Sequence, residues 1–216
     1  MAGFSVIYIH GFASSPSSGK ARYFQQKFTD LGIPIQVPDL NQGDFTHLTL
    51  TRQMQQIASI LTPAPTVLIG SSFGGLTAAL LAENHPQISH IILLAPAFGM
   101  ATYWQEKMTP AQLQQWQHQG TLPIYHYGEG KELPLHYDFL LDLRSYDDGK
   151  LVRPVPTLII HGKSDDVVPI CVSQTYAQSR PWVRLIMQED DHSLKRDLPL
   201  IWQEIGAFLG LASTQN

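Results

Sequence analysis

The chain has 216 residues, of which 44% are hydrophobic and 15% charged, a composition typical of a single globular α/β domain and unlike that of a disordered segment. The formal net charge is −4 and no long basic run occurs, which argues against nucleic acid or an anionic membrane as a partner. Cys171 is the only cysteine, and the apolar stretch at the N-terminus is too short for a signal peptide. We therefore expect a cytoplasmic protein without a membrane span.

Short apolar runs rich in β-branched residues alternate with helix-like segments along most of the chain. Several runs are apolar almost throughout, which is typical of strands covered on both faces of a parallel sheet. The predicted strands are Phe4–Ile9, Ile33–Pro38, Thr66–Ile69, His90–Leu94, Val155–His161 and Trp182–Met187. The predicted helices are Gly19–Leu31, Leu50–Leu61, Phe73–Glu83, Pro169–Ser179 and Asp197–Leu209. This alternation predicts a doubly wound, mostly parallel six-stranded α/β sheet.

One long segment, residues 98–154, interrupts the alternation. It contains no clear strand, but Thr109 followed by Pro110 predicts the start of a short helix. Five of the eight tyrosines and two of the four tryptophans lie in this segment. We interpret it as a mainly helical cap over an active site within a single domain, because long ordered insertions are often lids. The alternative is a solvent-facing subdomain with its own small core.

The stretch Ile69–Gly75, I-G-S-S-F-G-G, lies between a predicted strand and a predicted helix. It fits the pattern G-x-S-x-G in one register only, with Gly70 and Gly74 on either side of Ser72. A sharp turn from strand to helix holds its central residue in a strained conformation and leaves no room for side chains two positions away. Ser71 has larger residues at those two positions. Ser72 is therefore the predicted nucleophile.

A serine hydroxyl is a poor nucleophile near neutral pH and needs a base. In the α/β-hydrolases, whose serine turn this stretch resembles, the partners follow the serine along the chain in the order acid, histidine. Asp165 and Asp166 come just after one predicted strand and His192 just after the next, where sheets of this kind place their sites. Alternatively, the aspartates cap the following helix and His192 is a solvated loop residue. The order and the places of these residues favour a catalytic triad.

The first predicted strand ends in His10, Gly11 and Phe12. Acyl transfer needs donors for an oxyanion, and backbone amides supply them because they are already oriented. We predict that these donors are the amides of Phe12 and Phe73, whereas His10 ties the loop down. The following serine-rich run lacks the spacing of a phosphate-binding loop. No H-E-x-x-H motif occurs, and neither a metal nor a cofactor is predicted.

Three motifs resemble those of the small serine esterases of the α/β-hydrolase superfamily: Y-I-H-G-F-A-S-S-P-x-S-x-K-A, G-S-S-F-G-G and H-G-K-S-D-D-V-V-P. The first is similar to the YqiA-like bacterial esterases, and D-D-V-V-P with D-D-H-S-L resembles the mitochondrial-type acyl-protein thioesterases. The resemblance implies that Ser72 is the nucleophile, His192 the base and Asp165 the acid, with Asp166 as the fallback. Asp191 departs from the pattern, because many relatives have glycine before the histidine.

The motifs together predict a serine hydrolase that cleaves ester or thioester bonds of small or acyl substrates through an acyl-enzyme. The aromatic content of the 98–154 segment suggests an apolar acyl or aromatic group, and the candidate contacts are Phe12, Tyr103, Trp104 and Tyr127. Because a fold does not determine a reaction, peptidase, C–C hydrolase and perhydrolase chemistry are alternatives. A ligand-binding protein without catalysis is a further alternative, although such a role would not require serine, acid and histidine together.

Overall fold

The computed structural model describes residues 3–211 and contains eight strands and eight helices within that range. The strands are β1 (Ser5–Ile9), β2 (Ile35–Gln36), β3 (Thr66–Ser71), β4 (Ile88–Leu94), β5 (Thr121–His126), β6 (Lys131–His136), β7 (Thr157–Gly162) and β8 (Val183–Gln188). The helices are α1 (Gly19–Asp30), α2 (Leu50–Ile60), α3 (Phe73–Asn84), α4 (Met100–Lys107), α5 (Pro110–Gln119), α6 (Asp138–Leu143), α7 (Ile170–Gln178) and α8 (Leu198–Leu209). A 3₁₀ turn covers Asp148–Lys150.

Six strands form one parallel sheet in the order β2-β1-β3-β4-β7-β8. Successive side chains of each strand enter different cores because they point to opposite faces. In β3, for example, Val67 and Ile69 pack with residues of α1 and α8, whereas Leu68 packs with residues of α2 and α3. The predicted doubly wound sheet is confirmed, and burial on both faces explains why its strands are apolar almost throughout.

The edge strand β2 is shorter than the sequence predicts. Only Ile35 and Gln36 pair with β1, whereas a strand over residues 33–38 was expected. Pro34 and Pro38 flank the pair and have no N–H to donate, so they limit the ladder on both sides. The carbonyl of Pro34 still accepts a hydrogen bond from the Val6 amide at 2.8 Å.

Helix α3, which follows the Ser72 turn, is apolar on every side. Residues 73–82 are all buried, so other elements must cover the outer face of this helix, just as the sheet covers its inner face. The end of the 98–154 segment is tied to the last turn of this helix. Glu83 accepts hydrogen bonds from the amides of Val152 and Arg153, both at 3.0 Å. The Arg153 guanidinium donates to the carbonyls of Ala82 and His85, which lack partners within the helix.

The 98–154 segment contains three helices, the 3₁₀ turn and an antiparallel hairpin of β5 and β6. The helix predicted at Thr109 is confirmed, and Thr109 and Gln112 form a capping box at its start. The expectation of no strand here was wrong. The sequence does not reveal the hairpin because each of its strands contains a proline, Pro123 or Pro134. These two residues lie opposite each other. Because neither has an N–H group, they can face each other only at a non-hydrogen-bonded pair of a short ribbon.

The hairpin contacts two loops that follow strands of the central sheet. At its turn the amide of Gly128 donates to the carbonyl of Ala13 at 3.4 Å, in the loop after β1. At its base the amide of His136 donates to the carbonyl of Thr46 at 2.8 Å. The indole of Trp116 in α5 donates to the carbonyl of Leu135 at 3.0 Å. The segment therefore packs into the same hydrophobic core as α2 and α3.

Candidate active site

Ser72 occupies the turn between β3 and α3, with φ 54° and ψ −116°. A non-glycine residue rarely adopts this conformation, and the surrounding backbone maintains it. The Ser72 amide donates to the Leu94 carbonyl at 2.8 Å, and its carbonyl accepts from the Ala97 amide at 3.0 Å. A Cβ on Gly70 would overlap the Gly74 backbone, and one on Gly74 would overlap the carbonyl of the last residue of β1. Both glycines are required by close backbone approach.

Ser71 has a different environment, although it is the immediate neighbour of Ser72. It is the last residue of β3, it is buried, and it lies near the buried hydroxyl of Tyr8. Burial raises the pKa of Tyr8 far above its ordinary value, so that the hydroxyl keeps its proton. The structure therefore separates the two serines: one faces a histidine and the other a phenol.

His192 connects Ser72 to Asp165. Its Nε2 lies 3.0 Å from the Ser72 Oγ, and its Nδ1 lies 2.8 Å from Oδ2 of Asp165. A carboxylate can only accept, so Nδ1 carries the proton and Nε2 is free to accept from the serine hydroxyl. The side chain of Asp165 is fully buried, whereas that of His192 is 22% exposed. The order and the places expected from the sequence bring these three side chains together.

The carboxylate of Asp165 is surrounded by donors. Its Oδ1 accepts from the amides of Val167 at 2.9 Å and Val168 at 2.7 Å, its Oδ2 accepts from His192, and Nε2 of His161 lies 3.1 Å from the same Oδ2. Burial alone would raise the pKa of Asp165, but the N–H groups of His161, His192 and Val168 beside the carboxylate outweigh it and hold the pKa well below its ordinary range. The neighbouring Asp166 is exposed, and it is Asp165 that bonds to the histidine.

The loop that carries His192 is held by its own aspartates. Asp190 is buried, and its carboxylate accepts from the amides of Asp191 at 2.8 Å and Arg196 at 3.0 Å. Asp191 accepts from the amide and the hydroxyl of Ser193 at 2.8 and 2.6 Å. The residue that departs from the glycine of many relatives thus stabilises the turn. Gly162, at the end of β7, leaves space for the carbonyls of this loop, which a Cβ there would overlap.

The loop after β1 lies directly against the Ser72 turn. A Cβ on Gly11 would lie 3.3 Å from the Ser71 carbonyl and 3.4 Å from the Ser72 Cβ. His10 is buried and fixes the loop as expected: its Nε2 accepts from the Leu40 amide at 3.1 Å, and its Nδ1 donates to the Gly11 carbonyl at 3.0 Å. The loop therefore carries Phe12 to the edge of the site.

Of the four candidate substrate contacts, the structure brings Phe12 and Trp104 together. Their rings meet edge to face, with centroids 5.3 Å apart. The ring of Tyr103 lies beneath the Lys107 ammonium, 5.0 Å away. Tyr127 is 78% exposed at the hairpin turn and packs against Tyr125. Only the first two of the four thus share one aromatic cluster.

Phe45 and Phe139 complete this aromatic cluster, and the sequence did not single them out. Their rings lie 5.6 Å and 5.2 Å from that of Phe12, measured between centroids. Phe139 also contacts Trp104 at 5.3 Å and Phe73 at 5.6 Å. We call these five residues, Phe12, Phe45, Phe73, Trp104 and Phe139, the aromatic cluster. Phe139 and Phe45 belong to segments without any catalytic motif, so only packing identifies them.

The family model that matches the chain covers residues 5–210 and is described as an uncharacterised protein family, UPF0227. The chain belongs to the UPF0227 family. No curated protein matches this UPF0227 member. The family match agrees with the resemblance to the YqiA-like proteins, and the structural neighbours described below confirm the α/β-hydrolase fold that it implies.

Several solved structures share the fold of this UPF0227 chain. Alpha/beta hydrolase domain-containing protein 10 from mouse aligns with 22% identity and a TM-score of 0.80, over 95% of this chain and 89% of that one. Est1E from Butyrivibrio proteoclasticus, with ferulic acid bound, aligns with 21% identity and a TM-score of 0.80, over 94% and 87% of the two chains. A monoacylglycerol lipase from Paleococcus ferrophilus aligns with 16% identity and a TM-score of 0.77, over 96% and 93%.

At these identities the neighbours establish the α/β-hydrolase fold of the UPF0227 chain. In such sheets ligands bind outside the carboxyl ends of the strands, which is where Ser72, Asp165 and His192 meet. Within residues 3–211 no helix is long and apolar enough to cross a membrane.

Proposed function

We propose that this protein is a serine hydrolase that cleaves carboxylic ester or thioester bonds. One observation carries the proposal: a continuous hydrogen-bonded chain runs from the Ser72 hydroxyl through His192 to the buried carboxylate of Asp165. Each member comes from a different strand end, and the tautomer that Asp165 imposes on His192 is the one that can accept the serine proton. The low pKa of Asp165 keeps that carboxylate charged at neutral pH.

In the proposed reaction the Ser72 Oγ attacks the carbonyl carbon while His192 takes its proton. The C–O or C–S bond to the leaving group then breaks, and His192 returns the proton to the departing oxygen or sulfur. A water molecule, deprotonated by the same imidazole, hydrolyses the acyl-enzyme and restores the serine hydroxyl. Asp165 keeps Nδ1 protonated and stabilises the imidazolium formed in each half-reaction.

We assign the oxyanion donors to the backbone amides of Phe12 and Phe73. Phe73 is the first residue of α3, where an amide has no acceptor within the helix and the positive end of the helix dipole favours an anion. Phe12 follows Gly11, whose missing side chain allows this loop to approach the Ser72 turn. These donors are already oriented and therefore require no reorganisation during the reaction.

We assign acyl binding to the aromatic cluster, because it adjoins the nucleophile through Phe12 and Phe73. Aromatic and aliphatic groups would be recognised there mainly by burial of apolar surface. The 98–154 segment supplies Trp104 and Phe139, and in this reading it acts as a cap. The substrate is therefore a small-molecule ester or thioester with an apolar acyl group.

The Ser72→Ala and Ser71→Ala variants test the proposal as a matched pair. With p-nitrophenyl acetate as substrate, we expect Ser72→Ala to lower kcat by a factor on the order of 10⁴ or more, because the nucleophile is lost. Ser71→Ala should retain most of the activity, because Ser71 is buried near Tyr8 and it is the Ser72 hydroxyl that lies within hydrogen-bond distance of His192. The reverse result would rule out the assignment of the nucleophile.

A fluorophosphonate probe separates a hydrolase from a binding protein that has kept the fold. We expect covalent labelling of the wild type at Ser72 and none of Ser72→Ala. Activity and labelling should both decline as the pH falls, because a protonated His192 cannot accept the serine proton. Folded wild-type protein that fails to react with the probe would contradict the proposal.

A further inference from the structure

His161 is a second histidine in contact with Asp165. It lies near the end of β7, and its side chain has no exposed surface. Its Nε2 is 3.1 Å from Oδ2 of Asp165, the same oxygen that accepts from His192. The reaction proposed above makes no use of this residue. A fully buried imidazole beside a buried carboxylate calls for an explanation, because each polar group must be satisfied.

The neighbours of His161 determine which of its nitrogens carries the proton. Its Nε2 is also 3.0 Å from the carbonyl oxygen of Val168, which can only accept, so this nitrogen is protonated. The Nε2–H donates to that carbonyl, and Oδ2 of Asp165 lies 3.1 Å from the same nitrogen. Its Nδ1 is 2.8 Å from the Oγ of Ser173 in α7, whose hydroxyl can donate to it. Neutral His161 is therefore fully satisfied as an Nε2–H donor.

Val168 closes a ring of hydrogen bonds around the acid. Its amide donates to Oδ1 of Asp165 at 2.7 Å, while its carbonyl accepts from His161. His161 thus acts on Asp165 twice, once through its 3.1 Å contact with Oδ2 and once through the peptide that holds Oδ1. Rotation of the carboxylate would break both contacts. Such closed networks restrain orientation more strongly than a single pair does.

We propose that His161 is a positioning residue that orients the Asp165 carboxylate toward His192, and that Ser173 maintains the tautomer of His161 needed for this role. The hydrogen-bonded chain then extends from Ser72 through His192, Asp165 and His161 to Ser173, from the surface into the core. The inference depends on the hydrolase activity proposed above. We expect its effect to be transmitted through Asp165, because His161 contacts that residue whereas its other polar partners are Val168 and Ser173.

The same contact alters the charge that His192 experiences. Oδ2 accepts from His192 and also lies against the polar N–H of His161, and the nearby His161 contributes to the low pKa of Asp165. Without that contact, the carboxylate would hold a proton on His192 more strongly. The base would then become available only at higher pH. Loss of His161 should therefore move the acid limb of the activity profile upward, which a purely structural defect would not do.

Other charged groups face the Asp165–His192 pair from the elements packed around it. They are Lys20 of α1, Asp166 in the loop after β7, and Asp190, Asp191 and Lys195 in the loop after β8. None of these groups hydrogen-bonds to Asp165 in the part of the chain that the structure describes, residues 3–211. They are unchanged in the variants below, so a shift in the profile reports on the contact with His161.

His161→Gln and His161→Asn form the decisive pair. The amide nitrogen of glutamine can take the place of Nε2 and donate to Asp165 and Val168, whereas asparagine reaches only as far as Nδ1. With p-nitrophenyl acetate we expect His161→Asn to lower kcat by about 10- to 100-fold at constant KM and to shift the acid limb to higher pH. His161→Gln should retain most of kcat and the wild-type profile.

His90→Asn serves as the control for removing an imidazole from the sheet. His90 lies toward the amino-terminal half of β4 and packs against Phe208 of α8. We expect its kcat and its pH profile to match those of the wild type. Urea unfolding of every variant shows whether a loss of activity reflects a loss of folded protein.

Ser173→Ala keeps the His161 ring and is the variant to use if His161→Asn does not fold. Because it removes only the donor to Nδ1, we expect a smaller loss of kcat and a smaller shift in the same direction. Equal losses in His161→Asn and His161→Gln would overturn the inference, as would unchanged kcat and profile in His161→Asn and Ser173→Ala. Failure of the wild type to hydrolyse esters or to react with the fluorophosphonate would instead overturn the proposed function.

Discussion

The two halves of the candidate site are held by different forces. On one side, Asp165 and His192 are positioned by directional hydrogen bonds to each other and from backbone amides, with His161 in close contact with the carboxylate. On the other side, the aromatic cluster is positioned by ring packing, with centroid distances between 5.2 and 6.2 Å. The strength of a hydrogen bond falls when its atoms move by a few tenths of an ångström, whereas apolar side chains can shift and repack at a smaller cost. The polar half should therefore control the rate of the chemistry, and the aromatic half the choice of substrate.

The largest effect is expected from breaking the polar half at Asp165. Asp165→Asn replaces an acceptor by a group that can donate to His192, which favours the wrong tautomer of the base. We expect kcat to fall by a factor on the order of 10⁴. Asp166→Asn is the matched control and should leave kcat close to the wild-type value, because Asp166 is exposed. Steady-state kinetics on both variants would decide which aspartate is the acid. A greater loss in Asp166→Asn would reverse the assignment.

An intermediate effect is expected from breaking the aromatic half at Trp104. Trp104→Ala removes rings packed on Phe12 and Phe139, and we expect kcat/KM for long-chain or aromatic esters to fall roughly tenfold or more. Hydrolysis of the acetate should change much less, since it does not fill the cluster. Trp104→Phe should restore part of the loss. Tyr127→Ala should lower kcat/KM for these esters less than Trp104→Ala does, because the Tyr127 ring is exposed. Equal losses for acetate and long-chain esters would mean that the aromatic half controls the rate of the chemistry as well as the choice of substrate.

The smallest effect concerns Lys20, in the first turn of α1. Burial, and then repulsion from Lys195, lower its pKa to about 8, although Asp190, Asp165 and Asp191 oppose the shift. In the unfolded chain a lysine keeps its proton up to about pH 10. Between these values the unfolded state binds more protons, so the contribution of Lys20 to stability rises with pH.

Lys20→Met should remove this rise. The measurement is the free energy of unfolding in urea for wild type and variant at pH 7.5 and pH 9.5. We expect the free energy of unfolding of the wild type, relative to that of Lys20→Met, to be larger at pH 9.5 than at pH 7.5. A difference that is the same at both pH values would show that the environment of Lys20 does not disfavour its charge.

Much of the polar half could be predicted from the sequence because its residues follow strands that the sequence also reveals. A parallel sheet brings the carboxyl ends of its strands to one edge, so Ser72, Asp165 and His192 had to approach each other once the strands were recognised. The spacing of Gly70 and Gly74 distinguished Ser72 from Ser71, because the backbone at both glycines approaches other backbone too closely for a side chain to fit.

The rest depended on contacts between residues far apart in the chain. The hairpin of the 98–154 segment was missed because proline normally argues against a strand, and only the pairing of Pro123 with Pro134 makes it permissible. Phe45 and Phe139 have no motif around them and become part of the site through packing on Phe12. Tyr127 looked like a wall residue by composition, but the turn it occupies leaves it exposed.

By itself, the sequence determined the doubly wound sheet, the strained turn at Ser72 and the order of acid and histidine. These features depend on the local periodicity of apolar residues and on the absence of side chains where two backbones approach closely. Both can be recognised from residues that are neighbours in the sequence. Only the tertiary structure decided that Asp165 rather than Asp166 faces His192, that His161 shares its oxygen, and that Phe12 meets Trp104. Those outcomes depend on which atoms lie within hydrogen-bond or van der Waals distance after the chain has folded, and no local pattern encodes such distances.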